Sequence, residues 1–249
     1  MNINKVILSS TDDEFLDFYP VVSKAWRKIG IEPVLFLINP KIETEDSSVI
    51  SVDFSSEQID SVFVSQNIRL LGTCLFPDDI LILSDIDMMP LSKEYFHTNI
   101  KKYSDDTFIN MRKNVTKNNM YPICYSVAQG NTWIEVFQAD SLSSIRKKLT
   151  EWYLNEYIVN GKSWYFDQLK LFESLKSFKS SYPKRFIELD DKTTDFCRLN
   201  RTKLKRNTKK FYDENLNYTD FHMPRPYRKY KKIINKVYEK TYGDLNEDF

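Results

Sequence analysis

Pro77-Asp78-Asp79-Ile80-Leu81-Ile82-Leu83-Ser84-Asp85-Ile86-Asp87-Met88-Met89-Pro90-Leu91 is the stretch that decides the fold. A polar turn, Pro77 to Asp79, opens it. Four aliphatic residues follow without a break, Ile80 to Leu83. A short apolar run bounded by turn residues predicts a strand buried on both faces, as in a parallel sheet covered by helices. Such strands present ligand-binding groups at their carboxyl ends. Here the carboxyl end carries two aspartates, Asp85 and Asp87, around one apolar residue. Buried carboxylates are costly unless positive charge meets them, and a divalent metal with oxygen ligands is one answer. In an extended chain residues i and i+2 face the same way, so both carboxylates reach one ion while Ile86 faces the core. Pro90 fixes the exit.

Outward from this stretch, the chain alternates between strand and helix signals. Lys5 to Ser10 reads as the first buried strand, ending in the polar group Ser9-Ser10-Thr11. Thr11 or Asp12 is positioned to cap a helix from about Asp13 to Ile29, with Gly30 as its terminator. Val34 to Ile38 is a second apolar run, which completes a β-α-β unit. Val49 to Phe54 reads as a third strand and Glu57 to Leu75 as a helix. Further strands are expected at Thr107 to Met111, Tyr121 to Val127 and Arg185 to Leu189. Helices are expected from Thr132 to about Phe137, Ser141 to Val159 and Tyr165 to Phe178. Arg198 to Lys210 is basic and reads as a solvated surface loop, with phosphates or an anionic acceptor as the alternative contact. Tyr218 to Pro226 is short and proline-punctuated. Tyr227 to Tyr242 reads as a basic, amphipathic helix. Strands alternating with helices predict an α/β fold with a mostly parallel central sheet and flanking helices. No linker interrupts it, so residues 1–226 form a single domain, with residues 227–249 packed on it as helix and tail.

Composition narrows the classes. The 249 residues are 41% hydrophobic and 14% aromatic, which supplies a sizeable core and argues against disorder. A formal net charge of +1 gives no global field for nucleic acid. Five glycines are too few for a glycine-rich phosphate cradle. Cys74, Cys124 and Cys197 are far apart with no C-x-x-C spacing, so they read as buried free thiols in a reducing compartment. The N-terminus carries no signal-peptide core, and no apolar run approaches the ~20 residues that span a bilayer. A cytoplasmic protein is expected, with the basic helix as its one candidate for contact with an anionic membrane surface.

Other residues can complete a site. His222 lies in Phe221-His222-Met223-Pro224-Arg225-Pro226, where two prolines predetermine the backbone. A stiff loop carrying an imidazole and a guanidinium suits a place that needs a metal ligand and a phosphate partner. Asp167 opens a helix beside Trp164, Tyr165 and Gln168. It is either a proton acceptor or a first-turn aspartate that favours the helix dipole. Trp133 and Trp164 are candidate platforms for a sugar face, although core packing is the commoner fate of tryptophan.

Asn67-Ile68-Arg69-Leu70-Leu71, Leu75-Phe76-Pro77, the aliphatic strand and Ser84-Asp85-Ile86-Asp87-Met88-Met89-Pro90-Leu91 together resemble metal-dependent glycosyltransferases of the Rossmann-like GT-A fold. The class related to glycogenin and the lipopolysaccharide galactosyltransferases is the most similar, with small viral and bacterial GT-A enzymes equally close in style. The resemblance implies that Arg69 reaches the donor sugar, and that Asp85 and Asp87 bind Mn²⁺ (or Mg²⁺) and the donor pyrophosphate. It also implies that a late histidine followed by a basic residue and proline, here His222 with Arg225-Pro226, completes the metal site. The departures are a Met223-Pro224 spacer where the family has glycine, and Tyr125 to Gly130 in place of an asparagine-glycine strand motif. In such a fold Ser9, Ser10 and Thr11 lie where the nucleotide sits, and Asp53 accepts from base or ribose. The implied reaction moves a sugar from a nucleoside-diphosphate donor, UDP-sugar favoured, to a glycan or other hydroxyl acceptor held near Trp164 and Gln168. Two alternatives stay open. One is a haloacid-dehalogenase-type phosphohydrolase with Asp85 as nucleophile, and the other is a non-catalytic nucleotide- or carbohydrate-binding module.

Overall fold

The structure, a computed structural model, describes residues 1–11, 13–41, 45–113, 119–202, 212–213 and 216–245. Its central sheet is built outward from β1 (Lys5–Ser10), which pairs in parallel with β2 (Glu32–Ile38) on one side and β4 (Ile80–Leu83) on the other. β3 (Val49–Val52) extends the β2 side, also in parallel. Beyond β4 come β7 (Ser126–Gln129) and β6 (Phe108–Asn110), each antiparallel to its predecessor, and then β8 (Phe186–Glu188) parallel to β6. The seven-stranded order is β3-β2-β1-β4-β7-β6-β8, so the expected mostly parallel sheet is present with one antiparallel strand inserted.

The apolar runs are continuous because the sheet buries both faces. Side chains alternate along a strand, so neighbours enter different cores. Ile80 and Ile82 join one core and Leu81 and Leu83 the other; Val6 and Leu8 likewise oppose Ile7. α2 (Tyr19–Lys28), α4 (Lys93–Thr98) and a terminal helix cover the first face. α3 (Ser61–Leu71), α5 (Gly130–Phe137), α6 (Leu142–Trp152) and α7 (Phe166–Ser181) cover the second.

Several boundaries move for identifiable reasons. The expected helix from Asp13 to Ile29 is two pieces, α1 (Asp13–Leu16) and α2, because Pro20 cannot donate a hydrogen bond to the preceding turn and instead sits in the first turn of α2. Asp12 lies outside the described residues. Gly30 ends α2 at φ +83°, where a side chain would be strained. α3 starts later than expected because Asp60 caps it, its Oδ1 accepting from Val62 N (2.8 Å) and Phe63 N (3.1 Å). The helix expected to run to Val159 passes into a π-type turn, Tyr153–Tyr157.

A second, three-stranded sheet is absent from the sequence reading. β5 (Met88–Pro90) pairs antiparallel with β10 (Asp220–His222), which pairs in parallel with β9 (Arg198–Asn200). The start of the basic run is therefore a strand, not a surface loop, while residues 203–210 of that run lie outside the described residues. Three-residue strands flanked by charge carry almost no period-2 signal. Asp220 is fully buried, and Arg198 meets it with bonds of 2.6 to 3.0 Å while the Tyr125 hydroxyl donates at 2.8 Å. The terminal helix α8 (Tyr227–Tyr242) has the expected bounds. It buries Tyr227, Ile234, Val237 and Tyr238, and Tyr242 donates to the Pro90 carbonyl at 2.9 Å.

The turn before β4 is locked to the start of α5. Gly130 N donates to Asp79 O and Asn131 N to Pro77 O, both at 2.9 Å. A Cβ on Gly130 would lie 1.9 Å from the Phe76 carbonyl oxygen, so backbone must move to admit it. Gly130→Ala should therefore cost about 3 kcal/mol, the upper range for overpacking. A urea midpoint within error of wild type would show that this contact yields freely.

Candidate functional site

β1 sends the chain to β2 and β3 on one side, and the chain returns to β4 on the other. The carboxyl ends of β1 and β4 thus flank a topological switch point, where open α/β sheets bind ligands. A cavity of about 460 Å³ opens there, within the range of small-ligand pockets. Ser9, Ser10 and Thr11 line it from β1, Asp85 and Asp87 from the segment after β4, Arg69 from α3 and Asp167 from the first turn of α7. Trp164, Gln168 and Arg225 also line it.

The Asp85 to Met88 backbone is a turn, closed by Met88 N donating to Asp85 O at 3.1 Å, not the extended segment expected. Both carboxylates still face the cavity, because the turn begins at the strand's end and β5 pulls the chain away directly after it. Ile86 packs into the core at 5% exposure. Met223 N donates to Asp87 O at 2.9 Å, which ties the turn to the loop after β10.

Charges pair in two groups. In the first, Arg69 bridges Asp85 and Asp167: Nη1 donates to Asp85 Oδ1 and Nη2 to Asp167 Oδ2 at 2.6 Å. Burial pushes the Asp85 carboxyl up, but Arg69 and the Cys124 thiol, whose Sγ lies 3.2 Å from Asp85 Oδ2, hold it down at about 2. Burial lifts Asp167 above the usual carboxylate range, against the pull of Arg69. Burial opposes the Arg69 charge, yet the two carboxylates keep it protonated. In the second group Asp87, 3% exposed, meets Arg201 Nη1 at 2.9 Å and Arg225 Nε at 2.8 Å, both on Oδ2. The Arg225 contact is an ion contact without hydrogen-bond geometry. His222 Nε2 lies 3.5 Å from the same oxygen.

Most of the expected residues converge, then, and His222 reaches Asp87 from more than a hundred residues away in sequence. Three placements differ. Asp53 does not line the cavity; it closes a local turn, with Ser55 N donating to its Oδ1 at 2.8 Å. Ser9 spends its hydroxyl on the Ser65 carbonyl at 2.6 Å. Trp133 is fully buried in the core, whereas Trp164 stands 60% exposed at the cavity rim. Arg198, Arg201 and Cys124 were not singled out in sequence. The signal that covers Arg198 and Arg201 is the basic run Arg198 to Lys210, for which phosphate contact is the alternative to a solvated loop; its first three residues pair in register with Asp220-Phe221-His222.

Oxygen and imidazole donors suit Mn²⁺ or Mg²⁺ in chemistry. The charge arrangement does not suit a resident ion. Among the described residues no three His, Cys, Asp or Glu side chains are grouped to hold a metal. An ion on Asp87 Oδ2 would stand beside two guanidiniums with no anion between them.

No protein-family model matches the chain, and no curated protein matches it. Among solved structures it is similar to the apo form of the glycosyltransferase GlyE in Streptococcus pneumoniae TIGR4. The identity there is 10% and the TM-score 0.46, over 98% of this chain and 65% of that one. It is also similar to a glycosyltransferase involved in the glycosylation of the major capsid of PBCV-1, with 11% identity and a TM-score of 0.49, over 92% of this chain and 99% of that one. The chain thus spans less than two thirds of the length of the first of these.

The Arg69 bridge sets a pH signature. Asp85 is depressed from 3.8 to about 2, so its stabilising contribution is present above its unfolded value and is lost as pH falls through about 2. Asp167 is raised, so it burdens the fold at neutral pH and the burden lifts on acidification. Arg69→Met should destabilise by about 3 kcal/mol at pH 7, the cost of breaking a buried pair. Part of that loss should return by about pH 4, as the two orphaned carboxyls protonate. Urea unfolding across this range tests it; a loss that does not change with pH would remove Arg69 from the role of their counter-ion.

Proposed function

We propose that the chain is a glycosyltransferase that moves a sugar from a nucleoside-diphosphate donor, UDP-sugar favoured, to a hydroxyl acceptor such as a glycan. The observation that carries this reading is the polarised cavity at the β1/β4 switch point. Asp87 with Arg201 and Arg225 sums to one positive charge, from one carboxylate and two guanidiniums. Asp85 and Asp167 with Arg69 sum to one negative charge. Glycosyl transfer separates charge in this sense: the departing diphosphate gains negative charge while the anomeric carbon gains positive character.

The nucleoside then lies along Ser9 to Thr11, at the carboxyl end of β1, with its diphosphate toward Arg225. The sugar lies toward Arg69, Asp85 and Asp167. Asp167, whose carboxyl burial lifts, accepts the acceptor's proton or positions the acceptor through Gln168 beside it. The exposed face of Trp164 offers an apolar platform to the acceptor at the rim. A divalent cation, Mn²⁺ or Mg²⁺, belongs to the proposal, with Asp87 and His222, whose Oδ2 and Nε2 lie 3.5 Å apart, as its side-chain ligands once Asp87 is released from its arginines, while Asp85 stays with Arg69. Bound there, it would add positive charge at the diphosphate.

A thermal-shift screen of UDP-, GDP-, CMP- and dTDP-sugars with Mn²⁺ identifies the donor, because binding to the native state raises the melting temperature. Donor turnover is then measured with Mn²⁺ and with EDTA. Asp87→Ala should lower it by about 100-fold or more, the scale of losing one electrostatic stabiliser. Unchanged turnover in Asp87→Ala overturns the reading, and donor binding with no turnover in the wild type replaces it with a binding module.

A further inference from the structure

Arg201 lies in the basic run that reads as a solvated loop or a phosphate contact, and it ends on Asp87, one of the two nearly enclosed carboxylates of the cavity wall. It follows β9 directly, one residue past the Asn200–His222 pair, so β9 and β10 fix where it starts. Its Nη1 donates to Asp87 Oδ2 at 2.9 Å and lies 3.4 Å from the Met223 carbonyl. Arg225 reaches the same Oδ2 from the other end of the loop after β10. One buried carboxylate oxygen therefore carries two guanidiniums. It can neutralise only one of them, and at 3% exposure Asp87 gets little help from water. Elsewhere in the site each guanidinium is matched: Arg69 has two carboxylates and Arg198 has Asp220.

An excess cation beside a cavity is a place for an anion. Guanidinium pairs with phosphate oxygens through two parallel donors, with more gain than a shared contact on one carboxylate oxygen. We propose that Arg201 is a diphosphate-binding residue of the donor site, parked with Arg225 on Asp87 until the diphosphate arrives. This rests on the nucleotide-sugar reading above. The same contact keeps a divalent cation off Asp87 in the free protein. A diphosphate that draws the guanidiniums away leaves Asp87 and His222 open. Diphosphate and cation therefore favour each other's binding, by the same factor in either direction.

The assignment makes two predictions of opposite sign, which a merely structural arginine does not. Inorganic pyrophosphate binding is followed by calorimetry in EDTA, and Mn²⁺ binding by electron paramagnetic resonance without pyrophosphate. Arg201→Gln should weaken pyrophosphate by about tenfold or more, the range for losing a charged hydrogen bond. It should also tighten Mn²⁺ in the absence of pyrophosphate, because Asp87 has lost one competitor. Arg201→Lys should recover part of both changes. Circular dichroism and the urea midpoint establish that the variants fold; if Arg201→Gln does not, Arg201→Lys alone must shift both affinities in the stated directions. Pyrophosphate affinity unchanged in EDTA, or Mn²⁺ affinity that stays level or falls, overturns the role of Arg201. If the wild type binds Mn²⁺ as tightly without pyrophosphate as with it, the parking contact is overturned. If it binds neither pyrophosphate nor UDP, the donor-site reading falls as well.

Discussion

The site rests on a balance between buried carboxylates and guanidiniums. Asp87 and Asp167 are almost fully enclosed, and neither would stay ionised there alone. Arg69 satisfies Asp167 and Asp85 together, so α3, α7 and the end of β4 are held by one side chain. Arg201 and Arg225 do the same for Asp87, and through it they join β9 and the loop after β10 to the turn that follows β4. The small second sheet has its own version of this constraint, since β9 and β10 are linked by Arg198 on fully buried Asp220. Removing Arg69 or Arg198 leaves a buried carboxylate without its counter-ion, whereas Asp87 keeps one guanidinium when either Arg201 or Arg225 is lost.

That coupling explains what was legible in the chain. Ile80 to Leu83 announced a two-faced strand because the apolar run had no polar interruption, and the two cores it feeds are its direct consequence. Asp85 and Asp87 stood out because they broke that run. α8 was readable to its bounds, since sixteen residues give the helical period room to show. β9 and β10 were not, because a strand of three residues offers one alternation at most. An ion pair between residues 22 positions apart, Arg198 and Asp220, links them, and no local pattern records it. Pro20 is a different kind of miss: its effect on a helix was foreseeable from chemistry, but the strong apolar spacing on both sides of it masked the break.

Asp53 and Asp167 show why composition at a strand or helix end does not decide a role. Both are acidic residues at the end of an element. Asp53 has a free turn amide within reach and spends itself on that, staying outside the cavity. Asp167 also accepts from a backbone amide, that of Gln168 at 2.8 Å, but its second oxygen faces Arg69 across the cavity. The difference is the partner supplied by another element, and that partner is set by the sheet order, not by the neighbours in sequence.

The sheet order also polarises the cavity. β4 delivers Asp85 toward α3 and α7, while the turn and β5 carry Asp87 toward β9 and β10. Two carboxylates one residue apart are thereby handed to two different sets of arginines. A site that shared all its charges equally would bind a polyanion or a polycation without orienting it. This one has a positive end built on Asp87 and a negative end built on Asp85 and Asp167, and the Asp85–Met88 turn is what separates them. On the proposed reading, a substrate with a diphosphate at one end and a developing cation at the other would fit in one direction only, and how the chain leaves the strand would set that direction.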